Sequence, residues 1–304
     1  MSGNKLEGVY PVLSVPFNKD REVDYGSIRS LIDFLIGKGV DGLAVFGLNS
    51  EFYKLSDDEI NKITKVFVDA NNGRVKLMAG VGKPGTKTTI KQARFCQDRG
   101  MDALIIFPPY CVPISPGKLF NHYVDVSNSV DIPIVIQDSP KYSGVNMDLD
   151  FFLKLSEECS NIRYAKIENQ LSGPKITEII QSSKKKLSVF AGKGGTHYME
   201  HLKRDVCGIM PGCSIIELFV DIFSKFKNDE FEEADKIFED MATLLYLEDQ
   251  EIEYYITCEK EMLAYRGIIS SAASRRPCFE LDELSKKILI EKLSRLIEKF
   301  GLDS

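Results

Sequence analysis

No stretch of this 304-residue chain is apolar for the roughly 20 residues that a membrane-spanning helix needs. The longest apolar runs, such as "GLAVFGL" and "ALIIFPP", stop far short of it. Positive charge is not in excess either. The formal net charge is -6, which gives no reason to expect nucleic acid or an anionic membrane as a partner. The seven cysteines are odd in number and lack CxxC spacing, which argues against a disulfide framework and against a structural zinc site. The opening "MSGNKLEGVY" has no apolar signal-peptide core, so a cytoplasmic protein is expected. Linkers rich in Pro, Gly or Ser and low-complexity segments are missing as well.

What remains is an ordinary globular composition, 43% hydrophobic and 28% charged. A chain of this length can bury a full core as one large α/β domain or two small ones. Short β-rich apolar runs recur near Val9, Val45, Met78, Ile105, Val135, Ala165, Phe190 and Ile209, with helical patterns between them. In "SIRSLIDFLIGKG", Ile28, Leu31, Ile32 and Leu35 share one face and Gly39 is placed to end the helix. "LSDDEINKITKVFVDA" starts with Ser56 and Glu59 at the spacing of a capping box. Eight alternations with continuously hydrophobic strands predict an α/β fold, a closed (β/α)8 barrel. Three strand-free helical patterns follow, roughly Asp229 to Leu247, Gln250 to Tyr265 and Asp282 to Phe300. We expect a barrel over residues 1–227 and a three-helix extension packed on it over 228–304.

In "YAKIENQ", Lys166 sits near the end of the sixth strand, the end where barrels of this kind carry their chemistry. An ammonium group is costly in an apolar interior. Desolvation favours the neutral amine, which is a nucleophile for carbonyl carbon. Lys166 is therefore a candidate Schiff-base lysine; the alternatives are an outward, snorkelling side chain or an ion pair with Glu168. Because strand side chains alternate, Glu168 shares a face with Lys166, one step closer to the loops. A glutamate in that mouth is expected to have a raised pKa and to serve as acid/base; the alternative is that it only balances Lys166. Asp138 alternates away from Gln137 and reads as structural.

"FGLNSE" after strand two, "PPYC" after strand four, "IQDSP" after strand five and "AKIEN" in strand six occur in an order and spacing that together resemble one family. It is the dihydrodipicolinate synthase and N-acetylneuraminate lyase family of pyruvate-dependent class I aldolases. The likeness runs from "GVYPVLSVPF" through "SRRPCFELDE". It implies a lyase that needs no cofactor or metal, with Lys166 forming a covalent imine with the keto carbon of a small 2-oxo acid. It implies that Asn49 and Ser50 bind the substrate carboxylate, with Asn49 at the key position and Leu48 replacing a hydroxyl residue. Cys111, Gly192 and Met210 complete the implied binding set. A homo-oligomer is also implied, a tetramer of tight dimers or a dimer.

Gln137 falls where the family's proton-shuttling tyrosine belongs, Tyr110 on its first tyrosine, and Cys111 on the tyrosine that reaches across from a neighbouring subunit. Tyr142 falls where dihydrodipicolinate synthases place an arginine for a second carboxylate, and the adjacent Lys141 cannot offer that bidentate fork. These departures, with "KIEN", "NSEFYKLSDDE" and "SRRP", look most like the branch containing L-2-keto-3-deoxyarabonate dehydratase. The expected reaction is dehydration or retro-aldol cleavage of a 2-keto-3-deoxy sugar acid, in which Lys166, Glu168 and Gln137 act on the substrate. A synthase-like or sialic-acid-lyase-like reaction with pyruvate, and an inactive relative that binds 2-oxo acids, are the alternatives.

Three further motifs carry less. "HYMEH" from His197 to His201 matches a zinc pattern, but no further ligands accompany it, and it reads as a solvated helix face. "GKGG" at Gly192–Gly195 lacks a longer nucleotide-binding pattern. "SKKK" at Ser183–Lys186 reads as a solvated helix end.

Overall fold

A computed structural model describes residues 5–303. The strands are β1 (Gly8–Val9), β2 (Gly42–Val45), β3 (Lys76–Val81), β4 (Ala103–Ile106), β5 (Ile134–Asp138), β6 (Ile162–Ile167), β7 (Ser188–Ala191) and β8 (Gly208–Ile209). They form one sheet in the order β1-β8-β7-β6-β5-β4-β3-β2. A parallel bridge from Val12 to Ala44 joins the chain after β1 to β2 and brings the two ends of the order together. With a helix after each strand this is a (β/α)8 barrel. β2, β4 and β5 are buried at every position, as strands covered on both faces must be.

The helices of the first half are α1 (Tyr25–Gly37), α2 (Asp57–Asn71), α3 (Thr86–Asp98), α4 (Pro116–Ser127), the short α5 (Pro140–Ser143) and α6 (Leu149–Glu158). Those of the second half are α7 (Ser172–Ser182), α8 (Tyr198–Leu202), α9 (Ile216–Lys227), α10 (Phe231–Glu248), α11 (Ile252–Tyr265) and α12 (Glu283–Phe300). The last three make the C-terminal extension. Local chemistry sets several ends. The Ser56 hydroxyl accepts from Glu59 N and the Glu59 carboxylate accepts from Ser56 N, so the capping box is formed. α1 stops two residues before Gly39, which takes a φ of 82° that most side chains disfavour.

Two compact units make up the chain. One holds Lys76–Lys193 and Glu200–Ile209 with the residues up to Glu7; the other holds Gly8–Val75, Gly194–Met199 and the chain from Met210 onward. In the first unit the β5–β6 ladder contains a shift: Ile134 pairs with Ile162, but Val135 already pairs with Tyr164, and Arg163 is left out and exposed. One extra residue of this kind changes which side chains stand opposite each other. Beyond it Gln137 is in register with Lys166.

Candidate active site

Lys166 is 5% exposed. Its Nζ lies 3.1 Å from Glu168 Oε1. The other carboxylate oxygen accepts from Gln137 Nε2 at 2.7 Å, and the Lys193 N–H donates to Oε1 at 3.2 Å. Burial pushes the Glu168 carboxyl up, but the nearby Lys166 ammonium, the Gln137 amide and the Lys193 N–H together outweigh it. Its pKa therefore lies below the ordinary glutamate value. This corrects the expectation of a raised pKa: sequence spacing shows the shared face, but not the three donors that converge on the carboxylate.

Gly192 supports this arrangement by being small. A Cβ there would sit 2.4 Å from Glu168 Cγ, so the space a side chain needs is taken by the glutamate. Asp138 is turned to the helix side, where Lys175 of α7 donates to it at 2.6 Å and also to the Met147 carbonyl. Burial nevertheless keeps the Asp138 carboxyl above its usual range. Cys111 is exposed in the loop after β4, with φ at 81°. Tyr110 is half-buried and meets Phe107 edge-on at 5.9 Å. Tyr142 lies in α5 beneath the Lys141 ammonium.

In the second unit the segment after β2 forms a single tight turn, Leu48–Ser50. Asn49 and Ser50 are both buried there, and their donors are already in use. Asn49 Nδ2 donates to the Val12 carbonyl at 3.0 Å and to Ser14 Oγ at 2.8 Å, and Ser50 Oγ donates to the Leu13 carbonyl at 2.6 Å. Asn49 Oδ1 is buried without a hydrogen-bond partner among the described residues. The Ser50 N–H is spent as well, on the Gly47 carbonyl at 2.9 Å. Met210, just past β8, is 2% exposed.

Sequence reasoning missed the groups that hold these loops. Glu51 ends the turn in the left-handed region at φ 53°. Its carboxylate takes the Lys260 ammonium on one oxygen; the other accepts from Lys54 Nζ at 2.9 Å and from Arg275 N at 3.1 Å. Next to Lys260, Glu259 accepts from Cys213 N at 2.6 Å, Ser214 N at 3.2 Å and Ser214 Oγ at 2.6 Å. Gly212 makes room for it, because a Cβ would come within 2.3 Å of its carboxylate. Glu259 and Lys260 are adjacent charges inside a buried helix, a pattern that composition gives no reason to look for.

The zinc-like motif resolves differently from its reading. His201 is 1% exposed and its Nε2 meets Ser172 Oγ at 2.9 Å, so this part of α8 is packed inward and is not a solvated face. Among the described residues no cluster of three or more His, Cys, Asp and Glu is placed to hold a metal ion. No helix among them is long and apolar enough to cross a membrane.

Compared with known proteins, residues 5–296 match the model of the Dihydrodipicolinate synthetase family. A 4-hydroxy-tetrahydrodipicolinate synthase of Methanocaldococcus jannaschii is 35% identical over 188 residues, 62% of this chain and 63% of that protein. The aligned part thus spans a little under two thirds of that relative's length. Among solved structures, a dihydrodipicolinate synthase superposes with a TM-score of 0.88 at 28% identity, covering 97% of this chain and 99% of the other. The dihydrodipicolinate synthase of Rhodopseudomonas palustris gives 0.89 at 25% identity, with 96% and 98% covered.

Proposed function

This chain belongs to the Dihydrodipicolinate synthetase family, and from that footing we propose that it is a lysine-imine lyase that dehydrates or cleaves a 2-keto-3-deoxy sugar acid. One observation supports this reading above others. The Lys166 ammonium, the Glu168 carboxylate and the Gln137 amide form one connected group at the ends of β5 and β6.

In the proposed reaction Glu168 takes a proton from Lys166, and the freed amine attacks C2 of the oxo acid. Loss of the carbonyl oxygen as water leaves an iminium, whose positive charge faces the carboxylate that faced the ammonium. Glu168 then removes a proton from C3, and the electrons of that bond become an enamine. The protonated Glu168 gives its proton to the C4 hydroxyl, which departs as water. Hydrolysis of the unsaturated imine returns Lys166. A carboxylate with a lowered pKa suits the first of these tasks, since it is ionised and ready as a base. Gln137, which cannot shuttle protons, keeps the carboxylate oriented. By the family resemblance, Asn49 and Ser50 are the residues assigned to the substrate carboxylate.

A second reading has support in the curated relatives, which are named 4-hydroxy-tetrahydrodipicolinate synthases. It asks for a second carboxylate site where this chain has Tyr142. To separate the two, the protein is incubated with pyruvate and with a panel of 2-keto-3-deoxy acids, borohydride is added, and the Lys166 peptide is weighed. Parallel assays follow pyruvate release and the dehydrated product. Adducts with sugar acids and a dehydrated product support the first reading; condensation with an aldehyde and no dehydration supports the second. A homo-oligomer of cytoplasmic location belongs to the same proposal, and sedimentation gives its size.

A further inference from the structure

β6 and β7 run in register up to their ends, with Ile167 beside Ala191. Glu168 and Gly192, the next residue on each, are neighbours, and the Glu168 side chain fills the space that a Cβ on Gly192 would need. One residue further on, the Lys193 N–H donates to Glu168 Oε1 at 3.2 Å and is one of the groups that hold this carboxyl below its ordinary pKa. Lys193 makes the bond from the left-handed region, with φ at 55°. Gly194 and Gly195 follow it there at 61° and 86°, where a glycine meets no steric penalty. A lysine has a Cβ and keeps such a φ only where its surroundings hold it. Backbone strain that ends on a hydrogen bond to the candidate base points to a use for that strain.

The direction of the Lys193 N–H is set jointly by the ψ of Gly192 and the φ of Lys193, because these torsions flank one rigid peptide plane. A residue at 193 that takes a negative φ is accommodated by turning that plane, and Gly192, having no Cβ, allows the turn. The turn carries the N–H away from Oε1 and brings round the Gly192 carbonyl, an acceptor that a carboxylate repels. In the proposed reaction the Lys166 ammonium is consumed as the imine forms. The Gln137 amide and the Lys193 N–H are the donors that stay on Glu168 throughout.

We propose that Lys193 is a positioning residue for this reaction: its left-handed backbone aims the Gly192–Lys193 peptide so that the N–H holds the Glu168 carboxylate beside Lys166. The proposal rests on the lysine-imine reading given above. The lysine side chain has no part in it.

Two substitutions separate backbone from side chain. Lys193→Gly removes the side chain and accepts a φ of 55° freely, whereas Lys193→Val keeps a side chain and, being β-branched, resists it. Glu168 is titrated by infrared difference spectroscopy of its carboxyl stretch, each variant against its own Glu168→Gln blank. Over the same pH range pyruvate is trapped at Lys166 with cyanoborohydride. Lys193→Gly should titrate with the wild type. Lys193→Val should titrate about one pH unit higher, since a donor to the ionised form is lost, and should trap pyruvate about tenfold more slowly on the acid side. A Val variant that titrates with the wild type, or a Gly variant that shifts as far as Val, would overturn the proposal.

Should Lys193→Val fail to fold, the wild-type protein decides. With isotope-labelled lysine, the Lys193 amide signal should titrate at the midpoint found for Glu168, because protonation of the carboxylate weakens its acceptor; a signal that ignores this midpoint counts against the proposal. If the wild type forms no pyruvate adduct at Lys166, the lyase reading has failed, while the carboxyl and amide titrations still judge the role of the Lys193 N–H. If the adduct forms and only the predicted shift is missing, Lys193 alone loses its role.

Discussion

Two of the lysine–glutamate pairs that lie out of water among the described residues are built differently. Lys166 and Glu168 are two positions apart on one strand, 3.1 Å from each other, and the Glu168 side chain keeps 12% of its surface. Lys260 and Glu51 come from segments 209 residues apart, and neither side chain has any exposed surface. The first pair keeps a little exposed surface and is the one to which the proposed reaction brings the substrate carbonyl. In the second, the ammonium meets Glu51, the Ala273 carbonyl and the Phe17 ring, and both Glu51 oxygens already accept from protein groups. The proposed reaction uses the pair that keeps some exposure, whereas the enclosed pair ties α11 to the turn after β2.

Removing the first lysine should have the largest effect. Lys166→Met is expected to abolish borohydride trapping and turnover together, checked by mass of the intact protein and by product formation. Glu168→Gln is expected to lower kcat by about 10²–10⁴-fold while a substrate adduct can still be trapped. The same carboxylate gives a pH prediction. Its folded-state pKa is lowered and its base form is the active one, so kcat/KM should hold as pH falls past the ordinary glutamate value of about 4.3 and drop only below it.

For the closed pair the readout is stability. Lys260→Met leaves a buried carboxylate without its main partner and should cost about 3–5 kcal/mol in urea unfolding, while the double change with Glu51→Gln should cost much less. Gly192→Ala should cost about 10²-fold in kcat with little change in melting temperature, since its Cβ competes with Glu168 for space. The smallest effect is expected at Glu59. The Arg275 guanidinium holds its carboxyl down at about 2, so its contribution is present above the ordinary glutamate pKa and is lost as pH falls toward about 2. Because Glu59 is partly solvated, Glu59→Gln should cost only about 1 kcal/mol at neutral pH, measured by thermal unfolding.

The barrel was legible because its signal is local and repeated. Each of the eight apolar runs, with a helical pattern after it, reports a strand that must be covered on both faces. Lys166 was legible for the same reason, as a charge in a run that otherwise demands apolar residues, and the alternation rule placed Glu168 beside it. Less came through for the surroundings of these residues. The Arg163 irregularity that sets Gln137 opposite Lys166 leaves no mark in composition. The direction of the Glu168 pKa is set by the Lys166 charge together with the Gln137 amide and the Lys193 N–H, which come from 31 and 25 residues away. His201 was misread because a helix of five residues has too little periodicity to show which face is inside.

By itself, then, the sequence determined the repeated βα order, the apolar strands, the helix caps and the position of a lysine at a strand end. These depend on neighbours within a few residues, where hydrogen-bond rules and hydrophobic period act directly. Only the tertiary structure decided that the Asn49 and Ser50 donors are spent inside the protein, that Gly192 yields its space to Glu168, and that α11 carries two enclosed charges onto two loops. Those outcomes come from groups tens to hundreds of residues apart, where burial removes water and makes each remaining partner count.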